Sequence, residues 1–368
     1  MSLDLNINQL TLSWLNSANG ISNGIMGQLI QYFKTPEAIW DNLKGEINNF
    51  AGIKPETANY LIKVHDKYEA YLIKKLNEEK ASIVTFYDDK YPEKLRNIDG
   101  FPYILYYKGN LESVNNISIA VVGSRKATGY GKYAAEKLTG ELSALGVTII
   151  SGLASGIDTV AHRTAINCNC KTVGVIGCGI NVIYPKKNQS LYEDILSTGG
   201  AIITEFPFGM QPMPSNFPIR NRIISGLSNG VLIVEAQEKS GTLITAGHAA
   251  NQGKDIFAVP GNIDSIYSRG TNALIKDGAK IVTSVDDIIE EILELRCMVN
   301  TNNKKTVSSF TDKELKLISL LKNGEKTIYE AAENIDMDIS EILSTLTVLE
   351  MKGAVKQMPG NKFYSLLR

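Results

Sequence analysis

Through the first eighty residues, apolar positions recur at helical spacing and never build a long run. Leu10, Leu12, Trp14 and Leu15 open one amphipathic segment. Gly20-Ile21-Ser22-Asn23-Gly24 makes a turn, with Ser22 or Asn23 placed to cap a helix over Ile25–Phe33. Pro36 suits a first helical turn, with Ala38, Ile39 and Trp40 as apolar contacts, and Phe50-Ala51-Gly52-Ile53 leads into a long helix over Pro55–Leu76. A small α bundle is therefore expected. From residue 117 the pattern changes to short apolar runs that alternate with helical stretches. Strands are expected at Ile117–Val122, Val147–Ile150, Thr172–Ile176, Ala201–Thr204, Val231–Val234, Ile256–Val259 and Ile281–Thr283, with helices over Tyr130–Leu145, Ile157–Asn167 and Leu243–Asn251. Strands without polar alternation are buried on both faces, which implies a parallel sheet wrapped by helices. Right-handed crossovers bring the C-terminal ends of such strands to one edge. Gly123, Gly152, Gly177, Gly179 and Gly261 all fall there, where open α/β sheets bind ligands.

The tail reads helix, helix, helix, hairpin: Lys313–Leu321 capped by Thr311, then Thr327–Asn334, Ile339–Met351, and strands Ala354–Lys356 and Lys362–Ser365 around Pro359-Gly360-Asn361. That is the winged-helix order. Between core and tail, Met298–Ser309 (MVNTNNKKTVSS) is polar and aperiodic and reads as a linker. The expected organisation is an α bundle over 1–80, an α/β core over 81–297 whose stretch 81–116 is a lead-in, a linker over 298–309 and a winged helix over 310–368. A length of 368 residues accommodates two to three domains at about 150 residues each.

Composition adds exclusions. Hydrophobic residues are 43% and charged residues 21%, which rules out intrinsic disorder. No uncharged apolar run approaches ~18 residues, so no membrane partner is expected. Met1-Ser2-Leu3-Asp4 shows no export signal, and four cysteines are too few for a disulfide framework; both point to the cytoplasm. The formal net charge of −1, taken as a sum, argues against nucleic acid, but its distribution keeps that partner open. Residues 117–283 carry +4 and hold 21 of the 31 glycines, while 284–300 carry −4.

Four segments at the glycine-lined edge carry candidate chemistry. Gly123-Ser124-Arg125 follows a buried strand and opens a helix, whose free N–H groups favour an anion that Arg125 can fork onto. The segment is neither G-x-G-x-x-G nor a P-loop, and the second strand ends in Ser151-Gly152 with no acid for a ribose. Tyr184-Pro185-Lys186-Lys187 places two lysines beyond Gly177-Cys178-Gly179. Phe217, Arg220 and Arg222 combine cations with a π face, as single-stranded nucleic acid requires; the same arginines equally suit a structural network with Glu205 or Glu235. Ser240-Gly241-Thr242-Leu243 offers another helix start for an anion. Catalytic groups are sparse. His162 reads as a packed or capping histidine, Asp158 lies near a helix N-terminus, and Cys168-x-Cys170 lacks the second pair that zinc needs.

Six blocks, VVGSRKATGYG (121–131), SGLASGIDTVAH (151–162), GCGINVIYPKKN (177–188), FPIRNRIISGLS (217–228), VEAQEKSGTLITAGHAANQG (234–253) and AVPGNIDSIYSRGTNALIKDGA (258–279), resemble the DNA-processing protein A family, DprA or Smf, in the family's order. The resemblance implies a Rossmann-like, mainly parallel core, preceded by a SAM-like bundle and followed by an optional winged helix. It implies a cytoplasmic, non-enzymatic protein, without cofactor or metal, that binds single-stranded DNA, protects it during natural transformation and helps load RecA recombinase. Carried over by position, DNA contact falls on Ser124, Arg125, Lys186, Phe217, Arg220 and Arg222, with Gly123 and Gly152 shaping the edge. The family's homodimer surface, which overlaps its RecA surface, falls on Leu274, Ile275 and Ile281.

Two other classes bear comparison. A Rossmann-like nucleotide hydrolase would carry a double glycine before Gly-Thr and a Glu three residues after; Glu238-Lys239 and Thr245 stand there instead. A winged-helix transcription regulator would need a basic reading helix, whereas the third tail helix holds Glu341 and Glu350 with only Lys352 beyond. A partner-binding or accessory role is expected of the tail.

Overall fold

A computed structural model of the chain describes residues 5–47, 50, 52–299, 310–322, 324–352, 354–358 and 360–366. Two compact units divide it between Leu293 and Glu294.

The first unit opens with four helices, each started by its sequence. α1 (Ile7–Asn16) begins with a capping box between Asn6 and Gln9, and α2 (Asn23–Phe33) is capped by Ser22. α3 (Pro36–Glu46) has Thr35 at its N-cap and proline in its first turn, and α4 (Pro55–Glu79) ends at Lys80 in the left-handed conformation. Their apolar faces converge on Leu12, Trp14, Leu29, Leu43 and Leu61, and the Trp14 indole donates to the Leu61 carbonyl. This core continues without a break into Ile83, Tyr106, Ile176 and Ile202 of the sheet region.

Next come β1 (Ser82–Thr85), α5 (Glu93–Arg96) and β2 (Ile104–Gly109). The α/β series follows as β3 (Ser118–Val122), α6 (Gly129–Ala144), β4 (Thr148–Ser151), α7 (Ile157–Asn167), β5 (Thr172–Val175), α8 (Gln189–Ser197) and β6 (Ala201–Thr204). It closes with α9 (Asn216–Gly226), β7 (Gly230–Ile233), α10 (Gly241–Asn251), β8 (Asp255–Ala258), α11 (Arg269–Lys276), β9 (Lys280–Ile281) and α12 (Asp286–Glu291). The fold is α/β. One sheet runs β1-β2-β6-β5-β4-β3-β7-β8-β9, parallel from β6 to β9 and antiparallel where β2 meets β6 and β1. β3 to β7 are buried along their whole length, as unbroken apolar runs require. The stretch 81–116, expected only as a lead-in, supplies two antiparallel strands. Their aromatic and polar residues hide them from a search for uniformly apolar runs.

The order matters for the site. From β3 the chain steps outward through β4, β5 and β6, then returns to β7 on the other side of β3. α6 packs with α7, and α9 packs with α10. The crevice above β3 and β7 is thus the topological switch point of an open sheet.

The second unit starts in α13 (293–299), so Met298 and Val299 are helical rather than the first residues of a linker; 300–309 lie outside the described residues. It contains α14 (Asp312–Lys322), β10 (Lys326–Thr327), α15 (Ile328–Asn334), α16 (Ile339–Met351) and a hairpin of β11 (Val355–Met358) and β12 (Lys362–Ser365). The sheet order is β10-β12-β11, around Leu317, Leu321, Ile342, Leu346 and Phe363. Helix, strand, helix, helix, hairpin is the winged-helix sequence of elements. β10, two residues long, went unforeseen.

Candidate functional site

At the switch point lies a cavity of about 650 Å³. One wall is the β3 end, Gly123–Lys126; another is the α9 start with Phe217, Arg220 and Asn221; a third is the α10 start with Ser240, Gly241, Thr242 and Thr245. A smaller recess of about 80 Å³ shares Arg125, Tyr184, Phe217 and Arg220 and is floored by Gly152, Gly177 and Cys178. The β4 and β5 ends therefore reach the same place as the β3 end.

Phe217 is the centre of this site. Arg125 stands over its ring at 5.1 Å and Arg220 at 5.8 Å, while Tyr184 lies tilted against it with centroids 5.6 Å apart. Cations over an aromatic face are attracted by its quadrupole. A Cβ at Gly177 would stand 3.1 Å from the ring, so glycine there admits the phenylalanine.

The two arginines differ in freedom. Arg125 is exposed, and no ion pair restrains it among the described residues. Arg220 is buried, donating to the Gly152 carbonyl at 2.9 Å, to the Val175 carbonyl and to Asn221 Oδ1. Burial lowers its pKa to about 10, against the attraction of Asp158, so it stays cationic at neutral pH. Asp158 accepts the N–H groups of Gly152 and Ala154 at 3.1 and 3.3 Å. Burial raises its pKa, opposed by Arg220 and these hydrogen bonds. Gly152 fits between the two: a Cβ there would lie 2.7 Å from Arg220 Nη2 and 2.8 Å from Asp158 Oδ2. Behind them His162 is fully buried. Its Nδ1 lies 2.7 Å from Thr172 Oγ1, whose hydroxyl already donates to Ile149, so Nδ1 carries the proton. Burial lowers the His162 pKa to about 3, with Arg220 adding to the effect; the ring packs neutral.

Arg222 does not reach the cavity. It is buried in a two-pronged pair with Glu205, one prong at 2.7 Å, and so takes the structural role rather than the groove-lining one. Lys186 is exposed on a 3₁₀ turn directly beyond Pro185, which lines the small recess. Ser124 turns its hydroxyl back to accept the Lys126 N–H at 3.1 Å, and its carbonyl accepts the Ile157 N–H.

The start of α6 overturns one expectation. Its N-terminus is not open to an outside anion, because the buried Glu235 carboxylate sits on it, accepting the backbone N–H of Thr128 at 3.0 Å and the Thr128 hydroxyl. A Cβ at Gly131 would collide with this carboxylate, so the glycine makes room for it. The open helix start is that of α10. Its first turn holds no acid, and its N-cap residue Ser240 makes no side-chain cap. Thr245, where a hydrolase of this scaffold would hold its acid, is buried and lines the cavity. Among the described residues no group of three metal-ligating side chains comes together, and no helix is long and apolar enough to cross a membrane.

Leu274 and Ile275 on α11 are half-buried, and Ile281 on the edge strand β9 is 45% exposed. They lie at the β9 end of the sheet and line neither cavity. Tyr184 enters the sequence reading only as the start of the lysine segment, with no role for its ring; the structure sets that ring against Phe217.

A family model described as DNA recombination-mediator protein A matches residues 82–293. Protein Smf of Escherichia coli K12 is 38% identical over 275 residues, covering 73% of this chain and 74% of that protein. DNA processing protein DprA of Streptococcus pneumoniae is 37% identical over 273 residues, covering 74% and 94%. The X-ray structure of DprA from Streptococcus pneumoniae superposes with a TM-score of 0.67 at 34% identity, over 79% of this chain and 99% of that one. A structure of DNA processing protein A from Helicobacter pylori, described by its single-stranded DNA binding mode, gives a TM-score of 0.53 at 28% identity, over 58% and 96%.

Proposed function

The chain belongs to the DNA recombination-mediator protein A family, and from that premise we propose that it holds single-stranded DNA in the switch-point cavity as a binding protein, without catalysis. The observation that carries this reading is the Phe217 ring with the Arg125 and Arg220 guanidiniums within 6 Å of it. Phosphates meet Arg125, Lys126, Lys186 and the open start of α10, and an unstacked base meets the ring of Phe217 or Tyr184. Arg220, committed to two carbonyls, supplies fixed positive charge rather than a flexible clamp. Duplex DNA binds less well, because its bases are stacked away from Phe217. The Helicobacter pylori relative is described as binding single-stranded DNA, which supports the same ligand here. The family resemblance extends the proposal: the protein shields incoming strands during transformation, passes them to RecA in the cytoplasm, and works as a homodimer through Leu274, Ile275 and Ile281. The isologous contact would set two DNA-binding edges on one track. The α-helical segment 1–80, the core 81–297 and the tail 310–368 are proposed as its working divisions, the tail serving partners rather than duplex DNA.

Fluorescence anisotropy with single-stranded and duplex oligonucleotides tests the core of this. Arg125→Ala with Lys186→Ala is expected to weaken single-strand binding by roughly ten- to a hundredfold and to reduce the salt slope by about 2. Unchanged affinity would overturn the site. Release of a base from a nucleoside monophosphate would overturn the non-catalytic reading.

A further inference from the structure

Asn188 stands at the N-cap of α8, where an asparagine side chain ordinarily accepts an N–H of the first helical turn. Here it makes no such cap. The residue is buried, and its amide reaches away from its own helix into the loop between β4 and α7. There it donates to the Leu153 carbonyl at 2.9 Å and to Thr159 Oγ1 at 3.0 Å. The Thr159 hydroxyl in turn donates to the Ala154 carbonyl at 2.7 Å. A helix cap has been given up for a tie between two loops. Leu153 is what needs the tie. Its φ of 55° puts a bulky, non-glycine residue in the left-handed region, a conformation that persists only where the surroundings hold it. Its neighbours are gripped as well: the Gly152 carbonyl accepts from Arg220, and the N–H groups of Gly152 and Ala154 donate to Asp158. Residues 152–154 thus form one strut, held from α7, from α9 and from the 3₁₀ turn at 186–188. On that turn the Asn188 N–H donates to the Pro185 carbonyl at 2.9 Å, and Lys186 stands exposed between them.

We propose, resting on the binding reading above, that Asn188 is a positioning residue for single-stranded DNA. It locks the lysine turn to the same strut that Arg220 grips, and so holds Lys186 at a fixed place beside the recess. A lysine carries its charge on a flexible stem, and it meets a phosphate at lower entropic cost when the backbone beneath it is already fixed. Asn188 itself meets no ligand, because it is buried and lines neither cavity. Tyr184, the other side chain of this segment at the site, has separate support from the Phe217 ring. The effect of Asn188 on affinity therefore runs through Lys186, and the two residues are energetically coupled.

The test is a double-mutant cycle in the full chain, read by anisotropy with an oligothymidylate of about 20 nucleotides across a salt series. Lys186→Ala is expected to weaken binding about fivefold and to lower the salt slope by about 1. Asn188→Ala is expected to weaken it about threefold with a fall in slope of the same sign, and to cost less than about 1.5-fold more in the Lys186→Ala background. Asn188→Ser carries the test if Asn188→Ala does not fold: its short side chain cannot span both acceptors, so the same loss and the same coupling are expected. Urea denaturation of each variant separates folding from binding. A lowered midpoint with the affinity of the folded protein unchanged makes Asn188 a structural residue and overturns the positioning role. Equal weakening by Asn188→Ala with and without Lys186 sends its effect elsewhere and also overturns it. If Lys186→Ala changes nothing while Arg125→Ala weakens binding, the positioning role fails and the cavity stands; if Arg125→Ala changes nothing either, the cavity reading fails with it.

Discussion

Two helices begin at the ligand edge of this sheet, and their starts are built in opposite ways. α6 follows the glycine-rich segment that looks most like an anion site, yet Glu235 occupies its N-terminus from within the protein. α10 follows an unremarkable Glu238-Lys239-Ser240 and leaves its N-terminus open on the cavity. Helix dipoles favour anions at both places. What differs is whether the fold has already supplied the anion. The same division separates Arg220 from Arg222 on α9: one faces the cavity, while the other is taken up by Glu205. Closed positions hold the scaffold and open ones meet the ligand, and each can be perturbed separately.

The largest effect is expected on the closed side. Arg222→Ala strands the buried Glu205 carboxylate without its partner, which costs about 3–5 kcal/mol. Urea denaturation should register that loss. Single-strand affinity of the folded protein should stay within about twofold, because Arg222 lines no part of the cavity. A large affinity loss at full stability would move Arg222 back among the ligand-binding groups.

His162 gives the next largest effect, through pH. Its native pKa lies at about 3 and its ordinary value at 6.5, so between these the unfolded chain takes up a proton that the native ring refuses. Its contribution is complete above pH 6.5 and is lost progressively as pH falls, reaching about 2 kcal/mol near pH 5. His162→Gln removes this term, so the stability of the parent should fall more steeply from about pH 7 to 5 than that of the variant. Parallel curves would show the ring to be charged in the native state.

On the open side, Thr242→Asp places a carboxylate in the first turn of α10. Stability is expected to rise by about 0.3–1 kcal/mol, because the dipole gains an anion. Single-strand affinity is expected to fall about tenfold, because a phosphate loses the same place. Opposite signs from one substitution distinguish an open helix start from a merely uncapped one. Loss of both would mean that the substitution disturbs the wall itself.

These contrasts mark where the sequence stops being readable. β3 to β7 were legible because burial on both faces writes an unbroken apolar run. β1 and β2 were not, since Ser82–Thr85 and Ile104–Gly109 mix polar or aromatic residues into their runs and are not buried along their whole length. The pattern of strand ends set Arg125 and the Phe217–Arg222 segment on one edge of the sheet, and the family resemblance joined them as one site. Arg220 and Arg222 could not be told apart, because the choice depends on Glu205 arriving from the β6 end. The plug on α6 was invisible for the same reason: Glu235 follows β7, and only the pairing of β7 with β3 brings it to Thr128. Local chemistry can be read from a line of residues, but vacancy at a helix start is a tertiary property.

The smallest effect expected is the one that bears most directly on the comparison. Glu235→Gln keeps an oxygen to accept one Thr128 donor and removes the negative charge. Stability should change by no more than about 1 kcal/mol, the net worth of the weakened hydrogen bonds. If the carboxylate excludes outside anions from α6, its removal should raise single-strand affinity by about two- to threefold at low salt, with the gain shrinking as salt rises. If Glu235 instead serves the DNA by holding the Gly123–Lys126 loop, the same substitution should lower affinity at every salt concentration, with Arg125 losing its place over Phe217. The sign of that change, read with the opposite charge change in Thr242→Asp, decides whether the two helix starts differ by exclusion or only by support.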